Sequence, residues 1–391
     1  DSSSPMITNC TIEGFRPCGG MYCSNSSPKL INCTFIGNGC GWFSAKYQPG
    51  EADIFTYGGA IKCLSNSNPV FTQCNFTGNY VTDVEYGTGG AISGVQSTLF
   101  FENCIFNGNS VSYSGNGGAV CLTSSSANFS SCHFYGNSSS MGGAVAILGS
   151  EATMINCIFG ENSVHYGNGG AIYAGGSTLA LNNSMIENNI ATDNYYDNIV
   201  GGGGLCIDGS SVRIDSCHLY NNKTTFYGAA ILSRNANLII NQTTITNNEL
   251  EALEEEGKAL GGGIYCGGTT LLLSNSIISF ALGGNSIHCY DSLNNISINC
   301  SDIFGNDSGN WIGCIANQFG QNGNISANPL FCDTSNNDFH INNVSPCAPE
   351  NNSCGTLIGA SGVACGPEIL ALGLKNEYMG HVLSATPVIF W

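Results

Sequence analysis

Phe101-Glu-Asn-Cys-Ile-Phe-Asn-Gly-Asn109, followed after a short loop by Gly117-Gly118-Ala119-Val120, is a unit that the chain repeats about nine times. The same pattern reads INCTFIGN from Ile31, FTQCNFTGN from Phe71, FSSCHFYGN from Phe129 and MINCIFGEN from Met154. Looser copies run LNNSMIENN from Leu181, IDSCHLYNN from Ile214 and INQTTITNN from Ile240. Between them stand the glycine marks Gly58-Gly59-Ala60, Gly89-Gly90-Ala91, Gly142-Gly143-Ala144 and Gly169-Gly170-Ala171, with degenerate forms at Gly203-Gly204-Leu205, Gly228-Ala229-Ala230 and Gly262-Gly263-Ile264. A period of roughly 25 to 34 residues built from short strands is the signature of a solenoid, in which each unit buries its face only against its neighbours.

Within the unit the apolar residues alternate, with one irregular step. Leu99 and Phe101 point inward, then Cys104 and Phe106. The step from Phe101 to Cys104 requires a tight turn at Glu102-Asn103, because strict alternation would send Cys104 outward. Asn suits such a turn through its tolerance of left-handed backbone geometry. Three residues beyond the Phe position comes Asn38, Asn79, Asn109, Asn137, Asn162, Asn189, Asn222 or Asn248. Stacked at the strand spacing of about 4.8 Å, these amides are expected to bond up and down as an inward ladder. A further strand follows each Gly-Gly-Ala. The reading is an all-β, single-stranded right-handed parallel β-helix with three short strands per turn and roughly eleven rungs, a rod on the order of 50 Å long. Repeat length varies in loops 39–57, 190–201 and 249–260, which protrude.

The paired Gly-Gly-Ala-Ile and Phe-x-x-Asn marks resemble the repeats of polymorphic outer-membrane-protein passenger domains and related secreted right-handed β-helices. Asn328-Pro-Leu-Phe-Cys-Asp333, Asp338-Phe-His-Ile341 and Ser345-Pro-Cys347 look like the closing rung of many such proteins. The resemblance, over roughly residues 5 to 366, implies the fold and leaves function open, since these folds host lyases, adhesins and structural proteins. The chain departs from the outer-membrane family in carrying no recognisable membrane β-barrel, so autotransport is not implied. The organisation expected is repeats over 1–327, closing rung and Cys-rich cap over 328–367, and an apolar tail over 368–391.

Only 9% of residues are charged, 9 Lys+Arg against 27 Asp+Glu, so nucleic acid and anionic membranes are poor partners. No apolar run is long enough to span a bilayer. A start at Asp1 without Met or leader reads as a mature chain. Twenty-one cysteines point to an oxidising, secreted setting. Cys10, Cys33, Cys74, Cys104, Cys132, Cys157 and Cys217 share one inward position. In-register parallel neighbours there sit too far apart for good disulfide geometry, so they read as a reduced column of small hydrophobes. Disulfides are expected instead among Cys18, Cys40, Cys63, Cys121, Cys206, Cys266, Cys289, Cys300 and Cys314, and above all among Cys332, Cys347, Cys354 and Cys365. Fifteen Asn-x-Ser/Thr sites occur. Asn137 and Asn222 fall on the ladder, leaving Asn25, Asn75, Asn128, Asn182, Asn241, Asn295, Asn306, Asn324, Asn343 and Asn351 as expected N-glycan acceptors.

Lyase chemistry asks for a base beside groups that neutralise a uronate, and glycosidases for paired carboxylates. The nine basic residues are scattered over different repeats. Lys62 and Arg234 follow glycine corners in different rungs. Asp208 with Asp215, and Asp193 with Asp197, are near in sequence without a recognisable acid-pair signature, and they read as solvated surface. Glu249, Glu251, Glu254, Glu255 and Glu256, interleaved with Leu250, Leu253 and Leu260, read as a short amphipathic helix, with Ca²⁺ binding as the alternative. His133 and His218 share an outward position three rungs apart, and no histidines carry zinc-ligand spacing. No cofactor and no catalytic residue is expected. Beyond Cys365 the composition turns apolar, with Ile369, Leu370, Leu372 and Leu374, then Val388, Ile389, Phe390 and Trp391. Such a tail either caps its own rod or adds to a neighbouring copy, and head-to-tail addition that does not close makes a filament. The expectation is a secreted structural glycoprotein that polymerises with itself. An adhesin using Trp42, Phe43, Tyr47, Phe55 and Tyr57 on the first long loop is the alternative, and a polysaccharide lyase or hydrolase comes third.

Overall fold

The computed structural model describes residues 3–16, 19–41, 58–82, 87–112, 114–192, 200–251 and 260–366. Four parallel sheets of 11, 11, 8 and 10 strands run side by side, each strand pairing with its equivalent one coil away. In the coil around Cys104 they contribute, in chain order, Thr98–Glu102, Ile105–Asn107, Ser110–Val111 and Val120–Thr123. Each turn thus carries four strands, not the three expected. The additional one is two residues long in most coils, too short to imprint an alternation on the sequence. The eleven strands of the first two sheets match the expected rung number.

Register holds Phe, Ile and Leu in columns. On the second sheet Phe35, Phe76, Phe106, Phe134 and Phe159 stack at centroid distances of 5.0, 4.8, 4.7 and 4.7 Å. On the first, Phe71, Phe101 and Phe129 stack at 4.9 and 4.6 Å. All are buried. Each ring contributes about 2–3 kcal/mol of burial, with about 1 kcal/mol more from stacking.

Corners are left-handed. Asn103 (φ 52°) turns the chain from first to second sheet as expected, and Gly108 (φ 62°) turns it toward the third. At the fourth-sheet corner Gly117 holds φ 67°, and a Cβ on Gly118 would overlap the carbonyl oxygen of Gly143 one coil on. Only glycine satisfies both positions.

The asparagine ladder is continuous. Nδ2 of Asn38, Asn79, Asn109, Asn137, Asn162, Asn189 and Asn222 each donates to Oδ1 of the next, over 2.9–3.0 Å, ending at Asn248. Each backbone N–H donates to the same oxygen. The second amide proton of Asn109 reaches Phe76 O at 2.9 Å, an arrangement repeated along the column.

Two further ladders occupy the corners flanking the first sheet. The backbone N–H groups of Ser97, Ser125, Ser150 and Ser177 each donate to the hydroxyl of the next serine in line, ending at Ser210. The cysteine column lies at the other corner. The N–H of Cys74 faces Sγ of Cys104, and that thiol lies 3.4 Å from both Phe71 O and Glu102 O. Farther along, the same place is filled by Ser184, Cys217, Thr243, Ser276 and Ser301, linked N–H to side chain. These thiols act as weak hydroxyl surrogates that close a turn, rather than as plain small hydrophobes. Cys104→Ser is therefore expected to change stability by less than about 1 kcal/mol. Cys104→Val, which strands the Cys74 N–H, is expected to cost about 2–3 kcal/mol in urea unfolding.

A 3₁₀ turn, Gly313–Gln318, closes the last coil. Ile315 is buried, and Gln318 takes the N–H of Ile298 at 2.8 Å while donating to Ile296 O at 3.0 Å. Beyond it a three-stranded sheet, Phe331–Asp333, Asp338–Asn342 and Val363–Cys365, forms the cap. The cap folds back over the outer face of the second sheet. Phe339 packs on Tyr220, Ala360 N–H donates to Thr244 Oγ1 at 3.0 Å, and Gly359 N–H to Asn275 O at 2.8 Å.

Candidate functional surfaces

The carboxylates singled out from sequence stand apart. Asp208 on the fourth sheet holds Arg234 at 2.9 Å, and Asp215 on the first holds Arg213. The two aspartates are each engaged with their own cation rather than with each other. Lys223 sits 3.5 Å from Glu249 and 3.0 Å from Glu251. Glu249–Leu250 is a strand paired with Lys223–Thr224, so the acidic stretch does not begin as the expected helix. Asp193, Asp197, Glu254, Glu255 and Glu256 lie outside the described residues, as do Trp42, Phe43, Tyr47, Phe55 and Tyr57. No group of three or more His, Cys, Asp or Glu among the described residues is placed to hold a metal. His133 and His218 do face outward on the second sheet. His218 lies under the cap, donating to or accepting from Ser361 at 2.9 Å, and burial, with His340 nearby, drives its pKa down to about 4.

Among the expected glycan acceptors, Asn25, Asn128 and Asn295 are exposed, and Asn75, Asn182, Asn241 and Asn343 are half-buried. Asn351 is exposed, with its amide donating to Asn343 O and Ser345 O at 2.9 Å. Asn306 and Asn324 are buried, which corrects their assignment. Asn306 resumes the asparagine column after Ala281 interrupts it, donating to Ile278 O at 3.1 Å. Asn324 donates to Ile298 O at 2.8 Å and accepts from the Ser301 N–H. Neither amide reaches solvent.

Three disulfides brace the C-terminal end: Cys289–Cys314, Cys300–Cys354 and Cys332–Cys365. Cys347 is a buried free thiol instead of a bridge partner, because it faces into the cap core, 3.3 Å from Asp302 Oδ2. Cys63, Cys121, Cys206 and Cys266 are also free thiols. Cys121 has Ser93 and Ala146 as its register neighbours, and Cys206 has Tyr173 and Leu232, so neither has a thiol beside it along its sheet. Burial pushes Cys121, Cys206 and Cys266 up to about 12, which keeps them protonated and inert. Cys18 lies outside the described residues.

Asp302 is the one fully buried carboxyl among the described residues. It sits on the second sheet beneath the cap and accepts the Ala327 N–H at 3.0 Å. Burial raises it to about 7, against the lowering effects of the Ala327 and Cys347 bonds. The expected assembly residues Ile369, Leu370, Leu372, Leu374, Val388, Ile389, Phe390 and Trp391 lie outside the described residues.

A cleft of about 1190 Å³ opens over the third sheet, lined by Ser110, Ser138, Ser140, Met141, His165 and Tyr166 among others. It was not foreseen from sequence. Its one signal is an inserted Tyr-Gly between Val164-His165 and Asn168, where neighbouring repeats carry shorter strands.

Among the described residues no helix is long and apolar enough to cross a membrane. No curated protein and no solved structure matches the chain. The family model described as right handed beta helix region matches residues 1–183, and with four parallel sheets in continuous register the chain has the right-handed parallel β-helix fold.

Proposed function

We propose that the chain is the structural subunit of an extracellular glycoprotein filament or surface layer, joined head to tail through segment 368–391. The observation that carries this reading is the bracing of every described coil to the next by side-chain ladders. Three lines of buried side-chain hydrogen bonds run parallel to the long axis, beyond the backbone pairing, and suit a molecule selected for stiffness. The Arg213–Asp215 and Arg234–Asp208 pairs and the Lys223 contacts with Glu249 and Glu251 stand apart from one another. Gly313–Gln318 covers the last coil, so rods that join at this end do so through chain lying beyond the cap. Oxidised cysteines at that end fit an extracellular setting.

Negative-stain electron microscopy of the native protein is expected to show fibres with an axial repeat near the rod length. Deletion of 368–391 is expected to leave folded monomers. Dispersed rods from the full chain, or fibres from the deleted one, would overturn the reading. A surface-binding role is a second reading, favoured by the cleft over the third sheet.

A further inference from the structure

We infer that the cleft over the third sheet binds a neutral oligosaccharide, stacked on Tyr166 above a floor of serine hydroxyls. This goes beyond the structural reading, adding a ligand to the flank of the rod.

The floor is laid by register. Ser110 and Ser138 lie side by side on adjacent coils, with Ser163 next in line. Above them the regular pairing breaks. Ser139 pairs with Val164, but Met141 pairs with Asn168, so His165, Tyr166 and Gly167 stand opposite Ser140 alone. Bulges of this kind re-aim a side chain and are commonest beside functional sites. Tyr166 holds φ 62° and is 59% exposed. A bulky residue held in this region is costly, and such positions cluster where ligands are bound. Gly167 makes the bulge possible, because a Cβ there would overlap the carbonyl oxygen of Ser140. His165 Nδ1 lies 3.3 Å from Thr192 Oγ1 on the next coil, which steadies the imidazole beside the ring.

The lining chemistry selects the ligand. Its volume exceeds the few hundred Å³ of a single-metabolite pocket, so several sugar rings fit. Arg234 is the one permanently charged side chain among the described lining residues, and Asp208 already holds it at 2.9 Å. The net charge of −18 on the chain disfavours polyanions, and no carboxylate stands in the described lining. An exposed tyrosine face takes the C–H face of a pyranose, while Ser110, Ser138 and His165 exchange hydrogen bonds with its hydroxyls.

The test is calorimetric titration of the intact protein with hexameric cello-, malto-, xylo-, manno- and chito-oligosaccharides, and with oligogalacturonide as the anionic comparison. At least one neutral hexamer is expected to bind with Kd below about 1 mM, and the oligogalacturonide not to bind. Tyr166→Gly separates ligand binding from folding. It relieves the left-handed strain, so thermal stability is expected to hold or rise, while binding falls at least tenfold. Tyr166→Phe is expected to retain affinity within about threefold, since the ring face is kept. No binding by any neutral hexamer, preference for the oligogalacturonide, or binding unchanged in Tyr166→Gly would each overturn the assignment.

Discussion

Asn137→Leu is expected to destabilise the middle of the rod by about 4–6 kcal/mol, the largest loss for any single side chain in the column. The substitution removes the acceptor for both the Asn109 backbone N–H and its Nδ2, and the donor to Phe106 O at 3.0 Å. Three polar groups are left dry in a place that is fully buried. Each stranded group costs about 1–3 kcal/mol, and leucine offers no compensation because the column lacks room for its branched end. In a solenoid such damage is local, so hydrogen exchange should rise in the coils of Asn109 and Asn162 before those of Asn38 or Asn248. A loss below about 1 kcal/mol in urea unfolding would mean that the ladder follows from the coil without holding it. Asn137→Asp is the informative companion. It keeps the acceptor oxygens and loses the donor, and its carboxylate must be buried, so its deficit should grow as pH rises above the usual carboxylate range.

The second large effect is a weakening of cap docking with rising pH, whose Asp302 part is removed in Asp302→Asn. The Asp302 pKa stands at about 7 in the folded protein against 3.8 for the free side chain. A raised pKa means that the folded form keeps its proton where the unfolded form has lost it. Stability from this group is therefore fully present below about pH 4, falls as pH rises toward 7, and is flat above. Over that window the loss is about 4 kcal/mol as an upper estimate. The groups facing the site from the cap are Cys347, whose thiol burial keeps protonated, and, farther along the same face, His218 and the Asp338–His340 pair. His218 is lowered by burial, and Asp338 and Asp333 by their own hydrogen bonds, and all three slope the other way, so the measurement is the difference between wild type and Asp302→Asn. Hydrogen exchange of 331–365 at pH 4.5 and 7.5 should show the wild-type cap loosening at the higher pH relative to the variant. Equal slopes in the two proteins would mean that Asp302 ionises with water present.

What could be read from sequence was whatever repeats in a residue with one use. Phe-x-x-Asn fixed both the stacked rings and the amide ladder, because a buried asparagine at constant offset has no other way to satisfy four polar positions. Gly117-Gly118 announced its corner for the same reason. Cysteine and serine were ambiguous. Cys104 reads as apolar until Ser184 and Thr243 are seen to fill the same corner, and the serines from Ser97 to Ser210 are hidden in a chain rich in loop serines. Asn306 was misassigned because Ala281 breaks the column one coil earlier and Ile303 stands in the Phe position. The cleft escaped notice since it depends on a three-residue bulge in a strand only six residues long, which leaves no periodic trace. Tail residues 368–391 were legible as a change of composition, and their partner was not.

The ladders also decide how the molecule answers a pull. Backbone pairs and side-chain bonds alike point along the rod, so tension between its ends loads them in line, one coil after another. Coils part in sequence, not together. The disulfides between 289 and 365 clamp one end, and rupture starts from the other. The step from Ile92 to its register partner Val120 sets 28 residues free per coil, about 90 Å of slack at the extended spacing. Under load such a rod lengthens by even increments and dissipates work at each, as a shock absorber does.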